Sequence, residues 1–111
     1  MLVLNAGFLA YPRPFEDMSD SDIERMVSVN SLQPIYLIKV LLNQIKERKG
    51  RSAIITTSSI ASMRPSPAQA VYSATKAFAT YLSVALGHEL KDKIDFLAIS
   101  PGPVSTQMTM N

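Results

Sequence analysis

The chain has 111 residues, of which 47% are hydrophobic and none is cysteine, and its eleven Lys and Arg against nine Asp and Glu leave a formal charge of +2. That length accommodates one domain of about 100–150 residues, and the apolar content excludes an intrinsically disordered segment. Without cysteine there are no disulfides or zinc–thiolate centres; His88 is the single imidazole, so no transition-metal site is expected, carboxylates alone being suited to a hard cation, and Arg48, Lys49 and Arg51 are too few for a nucleic-acid footprint.

Leu2-Val3-Leu4 is an apolar run suited to a short strand buried on both faces, ended by Asn5-Ala6-Gly7. Residues 8–18 hold Pro12 and Pro14 and read as a loop. Ser19 to Glu24 offers two capping choices for a helix, with Ser21 and Glu24 matching a capping box. An apolar stripe then runs from Ile23 to Ile45. Pro34 interrupts it and predicts a kink or break between Asn30 and Gln33, and Gly50 is the expected stop.

Ala53 to Thr57 reads as a second strand, with Ser58-Ser59 at its carboxyl end. Pro65 and Pro67 mark a loop. From about Ala70 to Lys91 the spacing of Ala74, Ala77, Phe78, Tyr81, Ala85 and Leu90 predicts a second long helix. Ile94 to Ile99 is a third strand, ended by Pro101-Gly102-Pro103. Three strands alternating with two long helices give an α/β class with parallel pairing and right-handed crossovers, the strands lying side by side. Ligands of such sheets bind beyond the carboxyl ends of the strands, so residues 5–7, 57–64 and 100–108 are the segments to watch.

Tyr72 and Lys76 are four apart and share one face of the second long helix. Ser59 lies thirteen residues before Tyr72 at the end of a strand. In isolation each feature has a plainer reading: a solvated helix face for the pair, a backbone-capping hydroxyl for Ser59, an interior polar residue for Asn30, and simple turns for Asn5-Ala6-Gly7 and Pro101-Gly102.

Taken together, Asn5-Ala6-Gly7, Asn30, Ser59, Tyr72-Ser73-Ala74-Thr75-Lys76 and Pro101-Gly102 with Thr106 resemble the short-chain dehydrogenase/reductase family, in its order and near its spacing. The stretch from Ser58 to Phe78 looks most like the branch of 17β-hydroxysteroid dehydrogenases and very-long-chain 3-oxoacyl reductases. The resemblance implies a Rossmann-like, doubly wound sheet, and hydride transfer between NADP or NAD, with NADP preferred by the branch, and a ketone or secondary alcohol of 3-oxoacyl or steroid type. In that scheme Tyr72 is the acid, and an adjacent ammonium such as Lys76 favours the phenolate of a tyrosine. Ser59 hydrogen-bonds the substrate oxygen, Lys76 also holds the cofactor ribose, and Asn30 orders a water that feeds protons to the lysine. Asn5, Ala6 and Gly7 form the cofactor-facing turn, Pro101-Gly102 precede the segment around the nicotinamide, and Thr106 lies near the carboxamide.

The glycine-rich turn that cradles a pyrophosphate is not in the sequence, whose four glycines stand at 7, 50, 87 and 102. Residues 1–111 therefore resemble a single incomplete Rossmann-like domain, the catalytic half without the adenine-binding half. Two expectations follow: the polypeptide alone is inactive, and its first strand leaves an apolar edge that aggregates or takes a partner. Two alternatives stand beside this one, a non-catalytic homologue interacting through its two long helices, as the family does in its dimers, and a hydrolase using Ser59 with His88. Tyr11, Phe15, Met63, Met108 and Met110 are candidate linings for a lipid-like substrate. No apolar run reaches the roughly 18 residues of a membrane span, so the sequence reads as soluble, while the resemblance implies that a full-length relative is commonly anchored in the endoplasmic reticulum.

Overall fold

The computed structural model describes residues 1–102. Three strands, β1 (Leu2–Leu4), β2 (Ser52–Thr57) and β3 (Ile94–Ile99), form one parallel sheet in the order β1-β2-β3, with Leu2 opposite Ile54 and Ile54 opposite Phe96. Three α-helices, α1 (Asp20–Val27), α2 (Gln33–Glu47) and α3 (Ala70–Glu89), supply the crossovers. Single 3₁₀ turns at Phe15–Asp17 and Ile60–Ser62 interrupt the loops, the first of them within the stretch expected to be irregular.

Both long helical stretches pack on the same side of the sheet. Leu4, Ile54 and Ile94 point there and meet Ile38, Leu42 and Ile45 of α2 and Leu82 and Leu86 of α3. Ile54 and Ile94 are completely buried. The other side carries Val3, Ile55 and Leu97 in one register row, and Val3 and Leu97 are about half exposed at 49% and 56%. The expectation that β1 is buried on both faces is thus corrected. Among the described residues the apolar run is covered on one face only, because strand side chains alternate and both helices sit opposite Val3.

The structure decides between the two capping choices and gives the disturbance expected before Pro34 its form. Ser19, not Ser21, is the cap: its Oγ accepts the Asp22 backbone N–H at 3.1 Å, which places Asp20 and Asp22 in the first turn where the N–H dipoles favour acids. The chain does not break before Pro34. Residues Ser28–Leu32 form a π-helical turn that joins α1 to α2, with the Gln33 N–H reaching back to the Ser28 carbonyl. Pro34 falls at the start of α2, directly after the π turn, where the ladder already departs from the regular i−4 pattern. α2 stops at Glu47, before Gly50. Lys93 Nζ donates to the carbonyls of Arg48 and Gly50, the latter at 2.6 Å, and Gly50 at φ +76° makes the turn into β2.

Beside Leu82 and Leu86, α3 packs polar side chains inward. Ser73, Thr75, Lys76 and Ser83 are buried, whereas Tyr81 is 78% exposed and Phe78 is 40% exposed. The stripe of Ala74, Ala77, Phe78, Tyr81, Ala85 and Leu90 that reveals the helix in the sequence is largely its outer face, with Ala77 and Leu90 half-buried. Hydroxyl pairs hold the inner face to β2. Ser83 donates to Thr56 Oγ1 at 3.0 Å, and Ser58 donates to the Lys76 carbonyl at 3.0 Å while pairing with the Thr80 hydroxyl at 2.8 Å.

Truncation should separate the two faces of the sheet. Ile54→Ala is expected to lower the unfolding free energy by about 2–5 kcal/mol, the usual cost of emptying a filled core site, and Val3→Ala by less than about 1 kcal/mol, both read from urea midpoints.

Candidate active site

The carboxyl ends of the three strands converge on one cleft of about 780 Å³. β1 delivers Asn5, Ala6 and Gly7; β2 delivers Thr57, Ser58 and Ser59; the segment after β3 delivers Pro101 and Gly102; and the first two turns of α3 deliver Tyr72 and Lys76. Backbone bonds tie the strand ends together. Ser58 N–H donates to the Ile99 carbonyl at 2.6 Å and Ile60 N–H to the Pro101 carbonyl at 3.2 Å, while the Thr57 hydroxyl donates to Asn5 Oδ1 at 3.1 Å.

Lys76 is 4% exposed, and its Nζ has one bond, a long one of 3.4 Å to the Thr57 carbonyl. The ammonium lies 5.7 Å from the centroid of the Tyr72 ring, within cation–π range. Burial pushes the Lys76 pKa below the ordinary lysine value of 10.5. Ser59 Oγ accepts the Ala61 N–H at 3.2 Å, capping the 3₁₀ turn, as its plainer reading expects. Because the oxygen is the acceptor, the hydroxyl proton stays available to a group in the cleft. The adjacent Ser58 is spent on α3, so the two serines divide the work: one positions the helix and the other faces the cleft.

Asn30 is 2% exposed and is not a lining residue. Its Oδ1 accepts the Phe8 N–H at 2.8 Å, and its Nδ2 donates to the Phe8 carbonyl at 2.9 Å and to Thr75 Oγ1 at 3.1 Å. Thr75 in turn donates to the Tyr72 carbonyl at 2.8 Å. Asn30 therefore clamps the segment after β1 to the helix that carries Tyr72, from the middle of the π turn. Pro34 has no N–H to offer the Asn30 carbonyl.

Of the other expected residues, Thr106, Met108 and Met110 lie outside the described residues. Tyr11, Phe15 and Met63 do not line the cleft and are 68%, 65% and 67% exposed. Leu9, Ile60 and Ala61 are the apolar lining instead, joined by Arg64, Ser66 and Gln69. These come from loops, where no periodicity marks them. His88 is exposed near the far end of α3, which separates it from Ser59 and removes the hydrolase pairing.

The cleft could hold part of a small-molecule cofactor: a buried ammonium with donors to spare can donate to ligand hydroxyls, and Gly7 and Gly102 leave backbone open to close approach. The family model for short chain dehydrogenase matches residues 1–111. The chain belongs to that family. It is 35% identical to the very-long-chain 3-oxoacyl-CoA reductase of Anas platyrhynchos over 98% of its length and 36% of the relative's. It is also 35% identical to the inactive hydroxysteroid dehydrogenase-like protein 1 of Homo sapiens, over 98% of this chain and 33% of that one. Among solved structures it matches the 3-ketoacyl-(acyl-carrier-protein) reductase of Brucella melitensis complexed with NADH, with a TM-score of 0.92 and 30% identity over 96% of this chain and 46% of that one. The chain thus spans about a third of the curated relatives and under half of the solved one. Among the described residues no helix is long and apolar enough to cross a membrane, and no cluster of His, Cys, Asp or Glu could hold a metal ion.

The buried lysine makes stability depend on pH. Its pKa in the folded chain lies below the unfolded value, so between the two the unfolded chain binds more protons and stability rises with pH, levelling off above 10.5. Denaturation midpoints measured through that window should climb in the native chain and lose this component in Lys76→Met.

Proposed function

We propose that the chain carries the catalytic segment of an NADP- or NAD-dependent reductase that converts a ketone to a secondary alcohol, with a 3-oxoacyl compound favoured over a steroid. The observation that carries the reading is the convergence of Ser59, Tyr72 and the buried Lys76 on one cleft at the carboxyl edge of the sheet. A reduced nicotinamide, when bound, supplies the hydride. Negative charge then gathers on the substrate oxygen, and this chain's donors meet it there. Tyr72 gives its phenolic proton to that oxygen, and the Ser59 hydroxyl donates a hydrogen bond to the same atom. Lys76 turns its free N–H groups to the ribose hydroxyls. Asn5, Ala6 and Gly7 with Pro101 and Gly102 flank the nicotinamide, and Thr106 serves its carboxamide. Asn30 acts from behind, through a water held at its carbonyl that returns protons to Lys76. Likeness to the 3-oxoacyl-CoA reductase branch favours NADP and a lipid-like substrate.

Residues 1–111 contain no glycine-rich turn for the pyrophosphate, so the reading expects no turnover from this polypeptide alone. Joined to a glycine-rich βαβ half, it should oxidise NADPH with a 3-oxoacyl thioester. Ser59→Ala should then lower kcat about 10²–10³-fold, and Tyr72→Phe about 10²–10⁴-fold. Turnover that ignores Tyr72→Phe in a folded, cofactor-binding chimera would sink the reading.

A second reading, a non-catalytic homologue that assembles through its long helices, is favoured by two observations. Tyr36, Leu37 and Val40 on α2 and Phe78, Tyr81 and Val84 on α3 are all exposed, and a relative of equal identity is described as inactive. Three exposed apolar side chains on each helix suit an interface. Light scattering should show a homo-oligomer for the native chain and a monomer for the double variant Val40→Glu with Tyr81→Glu. An oligomer indifferent to NADPH would favour this second reading, and a native monomer would remove the interface.

A further inference from the structure

Among the described residues lining the cleft, the charged ones are Lys76 and Arg64, and none carries a carboxylate. Lys76 is buried against β2 and is accounted for by the Thr57 carbonyl and the Tyr72 ring and, in the reductase reading, by the cofactor ribose. Arg64 has no such occupation. It follows the 3₁₀ turn at Ile60–Ser62, its backbone N–H bonds the Ile60 carbonyl at 3.1 Å, and its own carbonyl accepts the Ser66 hydroxyl at 3.4 Å. Its guanidinium makes no hydrogen bond or ion pair among the described residues. The ion pair found there, Arg51 with Asp95 at 2.6 Å, stands at the opposite edge of the sheet.

The loop bearing Arg64 is held in place. Arg13 N–H donates to the Ala68 carbonyl at 3.2 Å, and Ala68 sits at φ +67°, a left-handed conformation that a non-glycine residue keeps only where its surroundings impose it. A planar cation on a tethered loop, in a cleft whose described lining offers hydroxyls and amides but no acid, is matched to a carboxylate or phosphate, which it can meet with two parallel N–H···O bonds.

We propose that Arg64 is a specificity-determining residue that selects substrates bearing an oxyanion in addition to the reacting ketone. The inference rests on the reductase reading and names its substrate class. The oxyanion has two possible sources, the carboxylate of a free oxo acid or the phosphate of a phosphopantetheine carrier. Arg64 reads that group, while Ser59 and Tyr72 hold the ketone oxygen.

Two pairs of probes separate the sources: acetoacetate against methyl acetoacetate, and S-acetoacetyl phosphopantetheine against S-acetoacetyl pantetheine. Calorimetric titration of the full chain should show at least one anionic member binding about tenfold tighter than its neutral partner, as charge-assisted pairing implies. Arg64→Met should bring that pair within about twofold, and Arg64→Lys should keep part of the preference. Circular dichroism establishes that the variants fold. The inference is overturned if neither pair discriminates, if none of the probes binds, or if discrimination survives in Arg64→Met. It is also overturned if Arg64→Met weakens NADPH to the same degree, which would assign the guanidinium to the cofactor. An anion preference without Tyr72-dependent reduction in the chimera leaves Arg64 standing and removes the reductase reading; reduction without the preference does the reverse.

Discussion

The seam between α3 and β2 is the constraint on which the site depends. It is closed by hydroxyls: Ser83 on Thr56, and Ser58 on both the Lys76 carbonyl and Thr80. A greasy seam would permit sliding, since apolar contact is non-directional. Hydrogen bonds to one strand position and one helix turn permit a single rotation and a single height. With that register set, Tyr72 and Lys76 can only face the end of β2, where Ser59 waits. Chemistry and packing share one turn of helix here, because the carbonyl of Lys76 is a structural anchor while its ammonium looks into the cleft.

A second clamp works beside the first. Asn30 uses three hydrogen bonds to join the segment after β1 to Thr75, and Thr75 closes on the Tyr72 carbonyl. Leaving any of these buried groups unpaired would cost about 1–3 kcal/mol, which is why a polar residue stands in the middle of a helix here. The cleft walls from β1 and α3 therefore keep a fixed separation even though they are far apart in sequence.

Much of this was legible in the residues. The strands announced themselves as short apolar runs bounded by glycine, proline or paired serines, and the alternation with long helices led to the parallel sheet. Tyr72, Lys76, Ser59, Asn5-Ala6-Gly7 and Pro101-Gly102 all reach one cleft, as their positions at strand ends and on one helix face imply. Other features were hidden for physical reasons. The apolar stripe of α3 located the helix but pointed to its outer face, because hydropathy does not register a hydroxyl satisfied against a neighbouring strand. Pro34 signalled a disturbance whose form, a widened turn rather than a break, depends on tertiary contacts at Asn30. Tyr11, Phe15 and Met63 looked like lining because of their type, yet loop geometry sends Leu9, Ile60 and Arg64 there instead.

The π-helical turn carries a consequence for how the chain tolerates length changes. An α-helix advances about 100° per residue, so deleting one residue from Ser28–Leu32 would restore a regular ladder while rotating everything that follows by roughly a quarter turn. Ile38 would leave the sheet, or Asn30 would leave Thr75; both could not be kept. The bulge thus works as a phase adjuster between a helix tuned to the site and a helix tuned to the core, and gaps should be rarer there than in the surrounding loops.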